Sequence, residues 1–117
     1  MLTSKKILII DDETDLCLLL KNYFLRKNYE VNVSHSLNEG RLLLKKIHPD
    51  ILFLDNNLPD GIGWDAAPTI AADFPFTYIV LVSAFHPTVP TMPVHALYRA
   101  IEKPISMADL DEQFSSF

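Results

Sequence analysis

Dense apolar runs alternate along the chain with longer stretches in which apolar residues recur at helical spacing. KKILIID (5–11) ends in carboxylates, is too short and too abruptly bounded for a helix, and reads as a buried strand. DILFLD (50–55) is continuously apolar before its final Asp, which predicts a strand covered on both faces, and FTYIVLVSA (76–84) is a further buried run. LYRAIEK (97–103) supplies another strand, and the alternating YEVNVS (29–34) one near the sheet edge.

Amphipathic segments lie between these runs. ETDLCLLLKNYFLRKN (13–28) has apolar residues at 16, 19, 20, 23 and 24, acids in its first turn, and Arg26 and Lys27 in its last, matching the helix dipole. SLNEGRLLLKKIHPD (36–50) predicts a helix with Ser36 as N-cap, Glu39 at the capping-box spacing and Pro49 as its stop. WDAAPTIAADF (64–74) predicts a helix that Pro68 forces to start late, near Ala67, or to kink. ISMADLDEQF (105–114) predicts a last helix introduced by Pro104, and NNLPDGIG after Asp55 reads as loop. One helix is due and missing. HPTVPTMPVH (86–95) has prolines at 87, 90 and 93, which no helix interior tolerates. Their three-residue period is that of polyproline II, so an extended or irregular segment is expected there.

Strands alternating with helices imply right-handed crossovers and one parallel sheet covered on both faces, with its site at the carboxyl ends of the strands. Four strands end in groups able to do chemistry there: Asp11 and Asp12, Asp55, Ser83, and Lys103. Three crowded carboxylates repel unless a proton or cation intervenes. Mg²⁺ takes one or two carboxylates plus waters and a phosphoryl oxygen. Asp12 and Asp55 would hold it, the Asn57 backbone carbonyl would add a ligand, and a free Asp55 oxygen would attack phosphorus. Lys103 would bring positive charge, and Ser83 a hydroxyl donor, to the phosphoryl oxygens. Taken singly these residues have plainer uses: Asp11 or Asp12 as a helix cap, Lys103 on the surface, Ser83 in a loop.

DDE after the first strand, LDNNLPDGIG after the third, VSA after the fourth and EKP after the fifth resemble, in this order and spacing, the receiver domain of bacterial response regulators. The resemblance covers about residues 5–114. It implies an α/β chain with a (βα)₅ doubly wound, five-stranded parallel sheet of flavodoxin-like receiver fold, residues 1–117 forming a single receiver domain. It further implies Asp55 as phosphoacceptor from a histidine kinase or phosphotransfer protein of a two-component system. Asp11 and Asp12 would be the acidic Mg²⁺ pair, completed by Asp55 and Asn57, with Ser83 as switch hydroxyl and Lys103 as the lysine at the phosphoryl group. Pro59 and Gly63 match the loop positions four and eight after the phosphoacceptor, and the bond before Pro104 is expected to be cis. Phe85 falls where side chains of the family govern access of hydrolytic water, and its bulk implies slow dephosphorylation. Such a domain catalyses its own phosphorylation and dephosphorylation and acts on no separate substrate.

Two positions depart from that family. The aromatic expected three residues before the lysine is Ala100, while Tyr98 stands two residues earlier on the same strand face, as a displaced switch or an exposed packing residue. The fourth helix, due over about 86–96, gives way to the proline-rich segment. Val89, Met92, Val94, Leu97 and Tyr98 are then expected to form an uncharged contact surface, for an unknown output partner or a homodimer through the 86–100 region. The runner-up reading is a receiver-fold interaction module insensitive to phosphorylation. An aspartate-nucleophile phosphohydrolase would need a second acid where Asn57 stands, and a cap domain for which the chain has no room.

Composition and charge narrow the partners. The 117 residues suit one domain. Net charge is −5, with +1 in residues 1–50 and −6 in 51–117, and no basic stripe, which argues against direct nucleic-acid binding. No residue between Asp73 and Arg99 is formally charged. No run reaches the roughly 18 apolar residues of a membrane span. DDE follows the first apolar run without a cleavage site, so a cytoplasmic protein is expected. Cys17 reads as a small core residue. His35, His48, His86 and His95 share no ligand spacing with cysteines or acids and read as solvated or loop histidines.

Overall fold

The computed structural model describes residues 4–85 and 87–117. Five strands form one parallel sheet: β1 (Lys6–Ile10), β2 (Glu30–Ser34), β3 (Ile51–Asp55), β4 (Tyr78–Ser83) and β5 (Tyr98–Glu102), in the spatial order β2-β1-β3-β4-β5. The order reverses direction between β1 and β3, where a doubly wound sheet opens a crevice at its carboxyl edge. All five residues of β3 are buried, as a central strand covered on both faces requires. The alternating strand β2 is at one edge, as its pattern predicts.

Side chains alternate between two cores. Ile7, Ile9, Phe53, Val80 and Val82 face α1 (Thr14–Arg26) and α4 (Met107–Phe114), meeting Leu20, Phe24, Leu110 and Phe114. Leu8, Ile10, Leu52, Leu54 and Leu81 face the opposite side, against Leu44 of α2 (Leu37–Ile47) and Ile70 of α3 (Ala67–Asp73). The helix ends follow local chemistry. The Ser36 hydroxyl caps α2 by accepting the Glu39 N–H at 3.3 Å, and His48 closes it in left-handed geometry just before Pro49. Pro68 sits in the first turn of α3, where its missing N–H costs nothing, and a 3₁₀ turn over Gly63–Ala66 leads in. That is the late start near Ala67 that the sequence predicts. Ser106 and Asp109 form a full capping box on α4, an S-x-x-D signal that was legible in the sequence and unused there.

No helix occupies the described residues of the β4–β5 crossover. Pro87 to Pro93 forms neither helix nor strand and is followed by a turn in which the Ala96 N–H donates to the Pro93 carbonyl at 2.9 Å. Exposure along it repeats every three residues: Thr88, Thr91 and Val94 face solvent, while Val89 and Met92, joined by Ala96, pack against the α2/α3 core. This corrects part of the expected contact surface. Val89 and Met92 face inward and take the place of a missing helix, leaving Val94, Leu97 and Tyr98 as the exposed apolar residues. NNLPDGIG is also more than loop, since Asn57–Leu58 pairs antiparallel with Gly61–Ile62. Among the described residues no helix is long and apolar enough to cross a membrane.

Candidate functional site

Three strand ends bring the predicted charged residues together. Asp11 follows β1, Asp55 ends β3 and Lys103 follows β5, and the register adds a hydroxyl beside them. Asp55 pairs with Val82, Ser83 is one residue on, and the Lys103 N–H donates to the Ser83 carbonyl at 2.8 Å. Carboxylate oxygens of Asp11, Asp12 and Asp55 lie within 4.8 Å of one another, with Asp11 and Asp55 buried and Asp12 exposed. The Lys103 ammonium reaches Glu13 at 3.0 Å, Asp11 at 3.2 Å and Asp55 at 3.6 Å.

One lysine cannot neutralise this cluster. Burial, and then the neighbouring Asp11 charge, push the Asp55 carboxyl up to about 6, while Lys103 and the Asn57 N–H pull the other way. Burial likewise raises Asp11 above the usual carboxylate range, although its carboxylate accepts the Glu13 N–H at 2.8 Å. Partial burial works against the charge on Lys103. Its three carboxylate partners outweigh that and hold its pKa above the ordinary lysine value. Clustered hard oxygen donors with surplus negative charge, open to solvent at Asp12, suit a divalent cation such as Mg²⁺.

The loop after Asp55 is fixed by close packing. The Gly63 N–H donates to the Asn56 carbonyl at 2.8 Å, and a Cβ on Gly63 would fall 1.9 Å from the Asp55 carbonyl oxygen. Only glycine allows that approach. Trp64 then buries its ring and donates its indole N–H to the Leu54 carbonyl at 3.2 Å. Asp60 ties the loop to α2, accepting from the Leu37 and Asn38 N–H groups at 2.7 and 2.8 Å. Pro59 and Asn57 are exposed, and the Lys103–Pro104 bond is cis, as expected.

Sequence reasoning left four contacts unread. Glu13 was read only as a first-turn acid of the helix, yet gives Lys103 its shortest ion pair. Asp60 offers no signal in its own segment, because its partners lie 22 and 23 residues away. His35 is exposed as expected, but its Nδ1 meets the Asp11 carbonyl at 2.9 Å. The Ser83 hydroxyl accepts the Phe85 N–H at 3.1 Å and donates to the Phe85 carbonyl, so it is engaged with its own loop. Tyr98 and Ala100 share the exposed face of β5. Cys17 is buried in the core, where burial pushes its thiol up to about 12. His48 and His95 are exposed, and His86 lies outside the described residues.

Comparison with known proteins converges on one family. Residues 7–115 match the model described as response regulator receiver domain. The response regulator SaeR of Staphylococcus aureus is 30% identical over 107 residues, covering 89% of this chain and 46% of SaeR. A CheY-like response regulator receiver domain protein from Methanospirillum hungatei superposes with TM-score 0.80 at 21% identity, covering 97% of this chain and 92% of that one. A Burkholderia pseudomallei response regulator, crystallised with a phosphorylated aspartic acid, calcium ion and citrate, gives TM-score 0.75 at 19% identity over 92% and 64% of the two chains. The chain spans less than half the length of the curated relatives it matches.

Proposed function

The chain belongs to the response regulator receiver domain family, and from that premise we propose that it takes a phosphoryl group from a histidine kinase or phosphotransfer protein onto Asp55 and thereby alters its binding to a partner. The observation carrying this reading is the buried Asp55 carboxylate at the meeting of Asp11, Asp12 and Lys103. Bound Mg²⁺ would neutralise charge between attacking and transferred oxygens. Asp11, Asp12, Asp55 and the Asn57 carbonyl would hold it. Lys103 would lie against a phosphoryl oxygen and Ser83 would donate to another, the positioning and charge neutralisation that phosphoryl transfer needs. The crystallised phosphorylated aspartic acid of the Burkholderia relative supports the same chemistry here.

The whole chain would act as one receiver domain in the cytoplasm, with no separate substrate. Exposed Val94, Leu97 and Tyr98 favour partner or self-association through the 87–100 face. Asp55→Asn is expected to abolish acid-labile labelling by acetyl phosphate with Mg²⁺. Labelling that persists in this variant removes Asp55 from the role. A second reading is a receiver-fold interaction module insensitive to phosphorylation, favoured by the Ser83 hydroxyl being taken up by Phe85.

A further inference from the structure

Two of the proposed cation ligands lie where the sheet has already ended. β1 stops at Ile10 and β3 at Asp55, so the five-stranded ladder sets neither Asp12 nor Asn57. One short turn, residues 34–38 between β2 and α2, bonds to both loops. On one side the Asp11 N–H donates to the Ser34 carbonyl at 3.0 Å, and His35 Nδ1 lies 2.9 Å from the Asp11 carbonyl. A carbonyl only accepts, so Nδ1 carries the proton. A second donor to that carbonyl is the Cys17 thiol at 3.2 Å, a weak one. On the other side the Asp60 carboxylate accepts the Leu37 and Asn38 N–H groups at 2.7 and 2.8 Å. The turn itself is braced: the buried Ser34 hydroxyl donates to the Ser36 carbonyl at 2.9 Å and accepts the Ser36 N–H at 3.3 Å.

We propose that this turn is a bracket across the cation site, with His35 and Asp60 as positioning residues that set the spacing of the Mg²⁺ ligands. The Asp11 carbonyl and the Asp12 N–H share one peptide plane, so the His35 bond fixes the plane from which the exposed Asp12 carboxylate projects. Asp60 lies in the turn joining Asn57–Leu58 to Gly61–Ile62, so its two bonds to the start of α2 hold the loop that carries the Asn57 carbonyl. Groups fixed before the cation arrives need not be ordered by it, and loss of such outer partners weakens metal binding by about 10–100-fold. Linkage is reciprocal, so a bound cation steadies the bracket in turn.

The bracket presupposes the phosphoacceptor site, so Mg²⁺ binding itself is measured, by titration followed in the amide NMR spectrum of the full chain. Hydrogen exchange of the Leu37 and Asn38 amides and urea unfolding are measured alongside. His35→Ala should weaken Mg²⁺ binding about tenfold while unfolding stays cooperative. His35→Asn, whose amide nitrogen falls where Nδ1 stands, should bind nearly as the unmodified chain does. His35→Gln, whose amide lies one bond farther out, should bind as weakly as His35→Ala. Asp60→Ala should weaken binding too, and still do so at high salt, where loss of a distant charge no longer counts. In the unmodified chain Mg²⁺ should slow exchange at Leu37 and Asn38, and less so in His35→Ala. Unchanged affinity in His35→Ala, an equal loss in His35→Asn, or exchange that Mg²⁺ leaves unaltered overturns the bracket and leaves the cation site standing. An unmodified chain that binds no Mg²⁺ overturns both.

Discussion

The strand-end cluster and the β4–β5 crossover adjoin in sequence and are built on opposite terms. Cluster positions are set by strand register: Asp55 and Ser83 belong to strands paired on both sides, and Lys103 follows an edge strand and is tied by its N–H to the Ser83 carbonyl. The crossover is fixed by a few side chains pressed onto a finished core: Val89, Met92 and Ala96. Loss of a helix therefore changes what covers the sheet and leaves the carboxylates where they are. The geometry of the carboxylate cluster and the covering of the sheet edge are separable parts of this chain.

That separation makes quantitative claims. The largest effect should come from Gly63→Ala, because the new Cβ meets the backbone of Asp55 and not a yielding side chain. A loss of about 3 kcal/mol in urea unfolding is expected; a loss below about 1 would show the loop to be far looser than the register implies. Next is the charge penalty of Asp55. Its folded-state pKa of about 6 lies above the unfolded value of 3.8, so the native state binds more protons between these values. Stability of the metal-free protein should therefore fall as pH rises from 4 to 6 and stay lower above it. Asp55→Asn should flatten this slope and gain about 2 kcal/mol at neutral pH, with little gain near pH 4. Equal gains at both pH values would mean that the cluster carries no such strain.

Crossover variants should matter less. Met92→Ala removes a half-buried contact and should cost about 1 kcal/mol, below the 2–5 of a fully buried Met. Pro90→Ala should cost only about 0.5 kcal/mol, through added freedom of the unfolded chain. A Met92→Ala cost as large as that of Gly63→Ala would erase the distinction between the two regions.

Sheet and cluster were legible because one signal repeats: an apolar run closed by Asp11, Asp55, Ser83 or Lys103. Three prolines likewise announced the lost helix. The inward turn of Val89 and Met92 was not legible, since a three-residue rhythm does not say which side meets the core. Glu13, Asp60 and the Ser83–Phe85 pair escaped for another reason. Each depends on which rotamer or distant amide a polar side chain chooses, and local periodicity carries no trace of that choice. The short ladder at Asn57–Leu58 is below the length at which alternation can be recognised.

The uncharged interval from Phe74 to Tyr98 includes the whole crossover, and its consequence is kinetic. The crossover itself adds no formal charge that could steer a partner, so encounter through its own residues should proceed near the unassisted rate of about 10⁵–10⁶ M⁻¹s⁻¹, with salt acting only through neighbours such as Glu102 on the exposed face of β5. A signal written on Asp55 would then be read as how long a partner stays, not as how often it arrives.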